Sequence, residues 1–196
     1  ELVREMRAAA PNLDIHLVEQ DLNDSLVDLL IAGEIDVTFL EGPYDDSRLE
    51  LIELGTDPFV VLLPRESDLT RLAKGRTFPT SLLAQAPMVG EHDCSTQTRI
   101  DEGLRDAGIT PRYVFRASDN GAIQGMVRAG LGPAVMPLLA VDTNDPGIIV
   151  KALEPPIEPR MILIALRRGA TLLPAAEKFV RIAKHECRKR LSQPAR

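Results

Sequence analysis

Hydrophobic and polar positions along this chain follow two periods in turn, and each switch marks a change from helix to strand. Leu2, Val3, Met6, Ala9 and Ala10 share one helix face, which Pro11-Asn12 stops. DIHLVEQ, residues 14 to 20, reads as a strand. The next helix begins near Asn23, Asp24 and Ser25, all good capping types, carries Leu26, Leu29 and Leu30 on one face, and ends at Gly33. IDVTFL follows as a strand, and Pro43 to Ser47 as a loop.

LELIEL and FVVLLP then read as strands, the second so uniformly apolar that both its faces must be buried. Residues 68 to 86 read as short helices broken by Gly75 and Pro79, and PMVGE as a short strand. Two similar units come next. A helix over 98–107 turns Ile100, Leu104 and Ala107 inward, ends at Gly108 and leads into RYVFRA. A second over 119–129, capped by Ser118 or Asp119, turns Ile123, Met126 and Val127 inward, closes at Gly130 and leads into GPAVMP. IIVKAL and MILIAL are further strands, and a final helix opens at Pro174 and buries Phe179, Val180, Ile182 and Ala183. Strands alternating with helices predict an α/β protein whose sheets are largely parallel and covered on both faces.

Composition sharpens this picture. A length of 196 residues is long for one compact α/β domain and comfortable for two small lobes. With 4% aromatics and no Trp, the core must be aliphatic. The net charge of −6 repels phosphate backbones, so these residues alone are not expected to bind DNA. The basic string HECRKR at the end of the last helix reads as cations set against the negative end of the helix dipole. Cys94 and Cys187 lie far apart without a disulfide framework, which fits a reducing cytoplasm, and no apolar run is long enough to span a bilayer, so no membrane partner is expected. The sequence starts at Glu1, without Met and already inside a helical pattern, which suggests that the natural N-terminus lies upstream.

Cys94 and Cys187 have no companions at metal-ligand spacing, and His16, His92 and His185 are scattered over a strand, a loop and a helix. Neither zinc nor a Ser-His-Asp triad is supported, and G-x-S-x-G, the P-loop and G-x-G-x-x-G are all absent. No catalytic residue, metal or cofactor is therefore expected.

Ligands of open α/β sheets bind beyond the carboxyl ends of strands, where helix N-termini present free N–H groups. Four places qualify: Asp21 to Asn23, Glu41-Gly42, Cys94 to Thr98, and Ser118 to Asn120. The candidate ligand-binding residues are Asn23, Glu41, Gly42, Ser95, Thr96, Thr98, Asp119 and Asn120. Cys94-Ser95-Thr96-Gln97-Thr98 is the richest cluster of hydroxyl and amide groups, although Ser95 or Thr96 could simply cap the helix. For Ser118, Asp119 and Asn120, capping alone explains the residue types. Glu41 is either an exposed loop carboxylate or, if it faces the ligand, a sign of a neutral or amine-bearing one. Cys94 is either a small packed thiol or, near a helix N-terminus, a reactive one.

Several strings together resemble one family. LLIAGEIDVTFL resembles the helix-Gly-strand unit of LysR-type regulators, with Gly33, Ile35 and Asp36 at its G-x-[LI]-D core. FVVLLPRESDL resembles the crossover strand leaving the first lobe. AGITPRYVFRASDNGAIQGMVRAGLGPAVMP resembles the family's most recognisable stretch, its A-G-[LI]-G-x-x-x-[LM]-P ending matched by Ala129 to Pro137. RMILIALRRG and LLPAAEKFV resemble the returning strand and C-terminal helix. One departure is that family domains usually open with a strand, and nothing ahead of Glu1 supplies it here.

The resemblance implies the effector-binding domain of a DNA-binding transcriptional regulator, not an enzyme. The implied fold is that of periplasmic binding proteins: two lobes, two crossover strands, and a small-molecule effector in the cleft between. Residues 1–62 and 162–196 would form lobe I and residues 63–161 lobe II, with FVVLLP and MILIAL crossing between them. DNA would be bound only through an N-terminal winged helix-turn-helix that these residues do not contain. A homodimer or tetramer is implied, the opening helix pairing with the helix at 120–129 of another copy through Leu2, Val3, Met6, Ile123, Met126 and Val127. The competing readings are a transporter's solute-binding protein and an enzyme of the same fold, such as a prephenate dehydratase. Its Thr-Arg-Phe motif is approached only by Thr98-Arg99-Ile100.

Overall fold

FVVLLP lies in the middle of a sheet, and its side chains feed two cores. In the strand Phe59–Pro64 every position is buried. Phe59, Val61 and Leu63 pack with Phe78, Met88, Ile100 and Leu104 on one face, while Val60 and Leu62 pack with Val89, Ile123 and Val127 on the other. A strand between two apolar layers has no polar side to offer, which is why its sequence does not alternate.

The computed structural model describes residues 2–20 and 22–191, with the backbone alone for Leu191; Asp21 lies outside the described residues. The helices are α1 Leu2–Ala9, α2 Asn23–Ala32, α3 Asp68–Leu72, α4 Ser95–Asp106, α5 Asn120–Arg128 and α6 Pro174–Leu191. The strands are β1 Thr38–Gly42, β2 Leu49–Asp57, β3 Phe59–Pro64, β4 Thr77–Pro79, β5 Pro87–Glu91, β6 Arg112–Ala117, β7 Ala134–Pro137, β8 Ile148–Glu154 and β9 Arg160–Arg167. The chain divides into two compact units. The first runs through Thr56 and resumes at Met161; the second is Asp57–Arg160. The divisions thus fall six residues before the expected 62/63 on the outward passage and one residue before 161/162 on the return, so β3 is grouped with the second unit.

The second unit is built on a six-stranded sheet of order β4-β8-β3-β7-β5-β6. β3 is antiparallel to both β7 and β8, while β4 with β8, β5 with β6 and β5 with β7 are parallel. In this sheet the expected parallel character holds, with β3 reversed; in the first unit's sheet it does not, because β1 runs antiparallel to β9. α4 covers one face through Ile100 and Leu104, and α5 the other through Ile123 and Val127. Where the chain enters β7, a Cβ on Gly132 would lie 1.8 Å from the Pro87 carbonyl oxygen, so only glycine lets it approach β5 this closely.

The first unit has a three-stranded sheet of order β1-β9-β2, with β1 antiparallel to β9 from Thr38 opposite Ala165 to Gly42 opposite Met161. α2 buries Val27 and Leu30 against Leu40, Leu49, Leu163 and Ala165. It stops at Gly33, whose φ of 77° is the left-handed conformation that glycine adopts without strain. α6 packs beside α1, with Lys178 Nζ donating to the Ala9 carbonyl at 2.7 Å and Phe179 tilted against Phe39 at 5.8 Å.

Four expectations need correction. Residues 14–20 form no strand, and Leu17 is 73% exposed. Alternation chooses a face, but a strand also needs a neighbour for its N–H and C=O groups, and no described strand pairs with this segment. Within 68–86 only Asp68–Leu72 is α-helical; Thr77–Pro79 pairs with β8, and Thr80–Leu83 is a 3₁₀ turn. Glu41 and Gly42 end strand β1 instead of forming a loop after it. Met6, Ile123 and Val127 are buried within their own units, so they are not surfaces on which a second copy could dock.

Candidate functional site

In the first unit, Asn23 sits one residue inside α2, because Leu22 occupies the cap position. Its amide is fully engaged: Nδ2 donates to the Glu41 carbonyl at 2.8 Å, and Oδ1 accepts from the Glu41 N–H at 3.2 Å. Asn23 is therefore joined to the main chain of Glu41, whose side chain is half-buried. Gly42 is buried beside them, and a Cβ there would come within 3.2 Å of Met161.

In the second unit, the polar cluster at the start of α4 behaves differently from a set of caps. Cys94 occupies the cap position, its Sγ accepting from the Gln97 N–H at 3.4 Å. Burial foremost, and the nearby Glu91 carboxylate, push the Cys94 thiol up to about 11. Sulfur thus holds the cap position of this helix, one residue ahead of Ser95. Ser95 and Thr98 line a groove of about 490 Å³ between α4 and the segment Pro156–Glu158, together with Arg99, Glu102 and Ile157.

Thr96 is buried behind that rim. Its Oγ1 accepts from Arg160 Nη1 at 3.2 Å. Arg160 in turn donates from Nε and Nη2 to Asp57 Oδ2, both at 3.0 Å, and Asp57 Oδ1 accepts from the Leu139 N–H at 3.0 Å. Asp57 is wholly buried. A buried carboxylate of this kind requires a charge partner and satisfied lone pairs, and here it has both.

Gln97 anchors the inner side of the helix start. Its Oε1 accepts from the Glu91 N–H at 2.7 Å, and its Nε2 donates to Asp101 Oδ1 at 2.8 Å and to the Tyr113 hydroxyl at 2.7 Å. Tyr113 donates to Asp101 at 2.5 Å, and Arg116 lies over its ring, 4.2 Å from the centroid. Burial first, then the hydrogen bond to Asp101, raise the Tyr113 hydroxyl well above its ordinary range. This network fixes the angle at which α4 leaves β5.

Asp119 caps α5, its Oδ1 accepting from the Ala122 N–H at 2.7 Å, and Asn120 is the exposed first residue of that helix. The structure thus gathers Ser95, Thr96 and Thr98 around one helix start, joins Asn23 to Glu41, and gives Asp119 a cap. Sequence reasoning missed Asp57 and Arg160, which are 103 residues apart and carry no local signal. Among the described residues no group of His, Cys, Asp or Glu is arranged to hold a metal ion, and no helix is long and apolar enough to cross a membrane.

Comparison with known proteins places this geometry in context. The family model for the LysR substrate binding domain matches residues 1–188. An uncharacterized HTH-type transcriptional regulator of Bacillus subtilis, YcgK, is 25% identical over 206 residues, covering 93% of this chain and 61% of the relative. The chain therefore spans about three-fifths of that protein's length. Among solved structures, the reduced form of the OxyR regulatory domain from Pseudomonas aeruginosa has a TM-score of 0.75 at 25% identity, covering 94% of this chain and 89% of that one. The effector binding domain of QuiR in complex with shikimate has a TM-score of 0.72 at 19% identity, covering 96% and 89%.

Proposed function

Because this chain belongs to the LysR substrate binding domain family, we propose that it is the sensing part of a longer DNA-binding transcription regulator and that its ligand is a small metabolite held at the start of α4. The observation that carries this reading is the groove of about 490 Å³ into which Ser95 and Thr98 face. Its volume suits a small molecule, and the first turn of a helix supplies N–H groups without intrahelical partners. The hydroxyls of Ser95 and Thr98 and the guanidinium of Arg99 suit oxygen acceptors on the ligand, while Glu102, Asp106 and Glu158 on the same groove suit its hydroxyl or amine donors. The QuiR domain, which shares the fold, was solved with shikimate, so small hydroxy acids are the first class to screen.

Within this reading Ser95 and Thr98 meet the ligand from the groove, and Thr96, buried behind that rim, is the hydroxyl it would reach inward. Glu41 is the first-unit residue to test alongside them. Asn23 and Asp119 act through main-chain hydrogen bonds that shape their surroundings. The domain acts as a receptor and catalyses nothing, a role supported by relatives named as transcriptional regulators rather than enzymes. That naming also favours regulation over transport. The whole protein would bind DNA through a helix-turn-helix segment outside these residues, work in the cytoplasm, and assemble as a homodimer or tetramer.

The test is a thermal-shift screen of metabolites against the purified domain, followed by gel shifts of the full-length protein on its own promoter. The reading expects a metabolite that raises the domain's melting temperature and also alters the DNA complex. A metabolite that binds the domain but is chemically converted by it would contradict it.

A further inference from the structure

Asp57 and Arg160 occupy special places in the chain as well as a buried contact. Among the described residues Asp57 is the first of the second unit and Arg160 the last, so the two positions mark the passages of the described chain to and from the first unit. They are held together by two hydrogen bonds of 3.0 Å, with Asp57 fully buried and the Arg160 side chain 15% exposed. The same guanidinium reaches Thr96 at 3.2 Å. The other oxygen of Asp57 holds the Leu139 N–H, in the 3₁₀ turn Leu138–Ala140 that follows β7. Four residues, distant in sequence, thus form one uninterrupted chain of charge-assisted hydrogen bonds: Thr96, Arg160, Asp57, Leu139.

We infer that Arg160 is a positioning residue of the effector site and the first link through which its occupancy reaches the two chain passages. The inference rests on the reading that ligand binds at the start of α4. One planar group touches both Thr96 and Asp57. A guanidinium is a rigid fork, so it cannot turn to follow Thr96 without changing its geometry toward Asp57. In a buried setting, hydrogen bonds in series polarise one another, so a change at the hydroxyl alters the strength of the next bonds. A ligand that engages Thr96 therefore changes how firmly Asp57 and Arg160 hold the two passages together. Lysine would not substitute, because its point-like ammonium cannot present separate donors to Asp57 and Thr96 in one plane.

A ligand-free experiment separates this inference from the binding site itself. Amide hydrogen exchange at Leu139, followed by NMR in the 196-residue domain, reports the Asp57 end of the chain. Thr96→Val, a near-isosteric change at the far end, is expected to speed Leu139 exchange at least threefold. In an Arg160→Met background the same Thr96→Val change is expected to have no further effect. If Arg160→Met does not fold, Arg160→Lys serves as the second background, with the same expectation. A purely local role for Thr96 predicts unchanged Leu139 exchange, and that result, or an effect of Thr96→Val that persists without Arg160, overturns the inference. Ligand affinity does not enter, so failure of the proposed function would show in the metabolite screen and not here.

Discussion

Asn23 gives Glu41 the hydrogen bonds that a neighbouring strand would otherwise supply. β1 is an edge strand with β9 on its inner side, and the Asn23 amide both donates to the Glu41 carbonyl and accepts from its N–H. One side chain therefore closes part of an exposed sheet edge and ties the start of α2 to the end of β1. Asn23→Ala removes both bonds, and a loss of about 1–3 kcal/mol in urea denaturation is expected. Asn23→Asp should not restore it, because a carboxylate oxygen would then face the Glu41 carbonyl. An unchanged urea midpoint for Asn23→Ala would show that the pair is incidental.

The two tyrosines of the chain provide a pH test. Burial, followed by the hydrogen bond to Asp24, pushes Tyr44 up to about 12, and Tyr113 is raised beyond that by burial and Asp101. Both hydroxyls have folded values above their unfolded ones. Their contribution to stability is thus complete below pH about 10 and is lost as pH rises through the folded values. Absorbance at 295 nm should show little tyrosinate in the native protein at pH 10.5, whereas in guanidinium both should titrate near pH 10. Tyrosinate forming near pH 10 while circular dichroism remains native would contradict the assigned contacts.

Cys94 should be a slow thiol. Its ordinary value of 9.0 is raised to about 11, which reduces the thiolate at pH 8 by about a hundredfold relative to the unfolded chain. Alkylation by iodoacetamide, read at the Cys94 peptide by mass spectrometry, is expected to be slower by about that factor in the native protein than in urea. Equal rates would mean that the sulfur is not held as the cap of α4.

Much of the fold was legible because it rests on local patterns. The uninterrupted apolar run of β3 announced a strand between two layers, and the glycines after α2 and α4 marked helix ends. The segment 14–20 failed because alternation cannot reveal whether a pairing strand exists. The helix start that carries Ser95, Thr96 and Thr98 was legible from residue type. That Cys94 and not a hydroxyl caps it was not, since sulfur is an uncommon cap. Asp57 and Arg160 were invisible: each looks like an ordinary surface charge until the fold brings two strand ends together across 103 residues.

The central claim is that a small metabolite is recognised at the first turn of α4. Isothermal titration of the best metabolite from the thermal-shift screen, into the parent domain and into Ser95→Ala, Thr96→Val and Glu41→Gln, tests it most directly. Each lost hydrogen bond to the ligand should weaken binding by about 1 kcal/mol or more, close to a tenfold rise in Kd when the bond is charge-assisted. The account predicts one ligand per chain and weakened binding for both Ser95→Ala and Thr96→Val. Parent-like affinity in both α4 variants would place the ligand elsewhere and contradict the account.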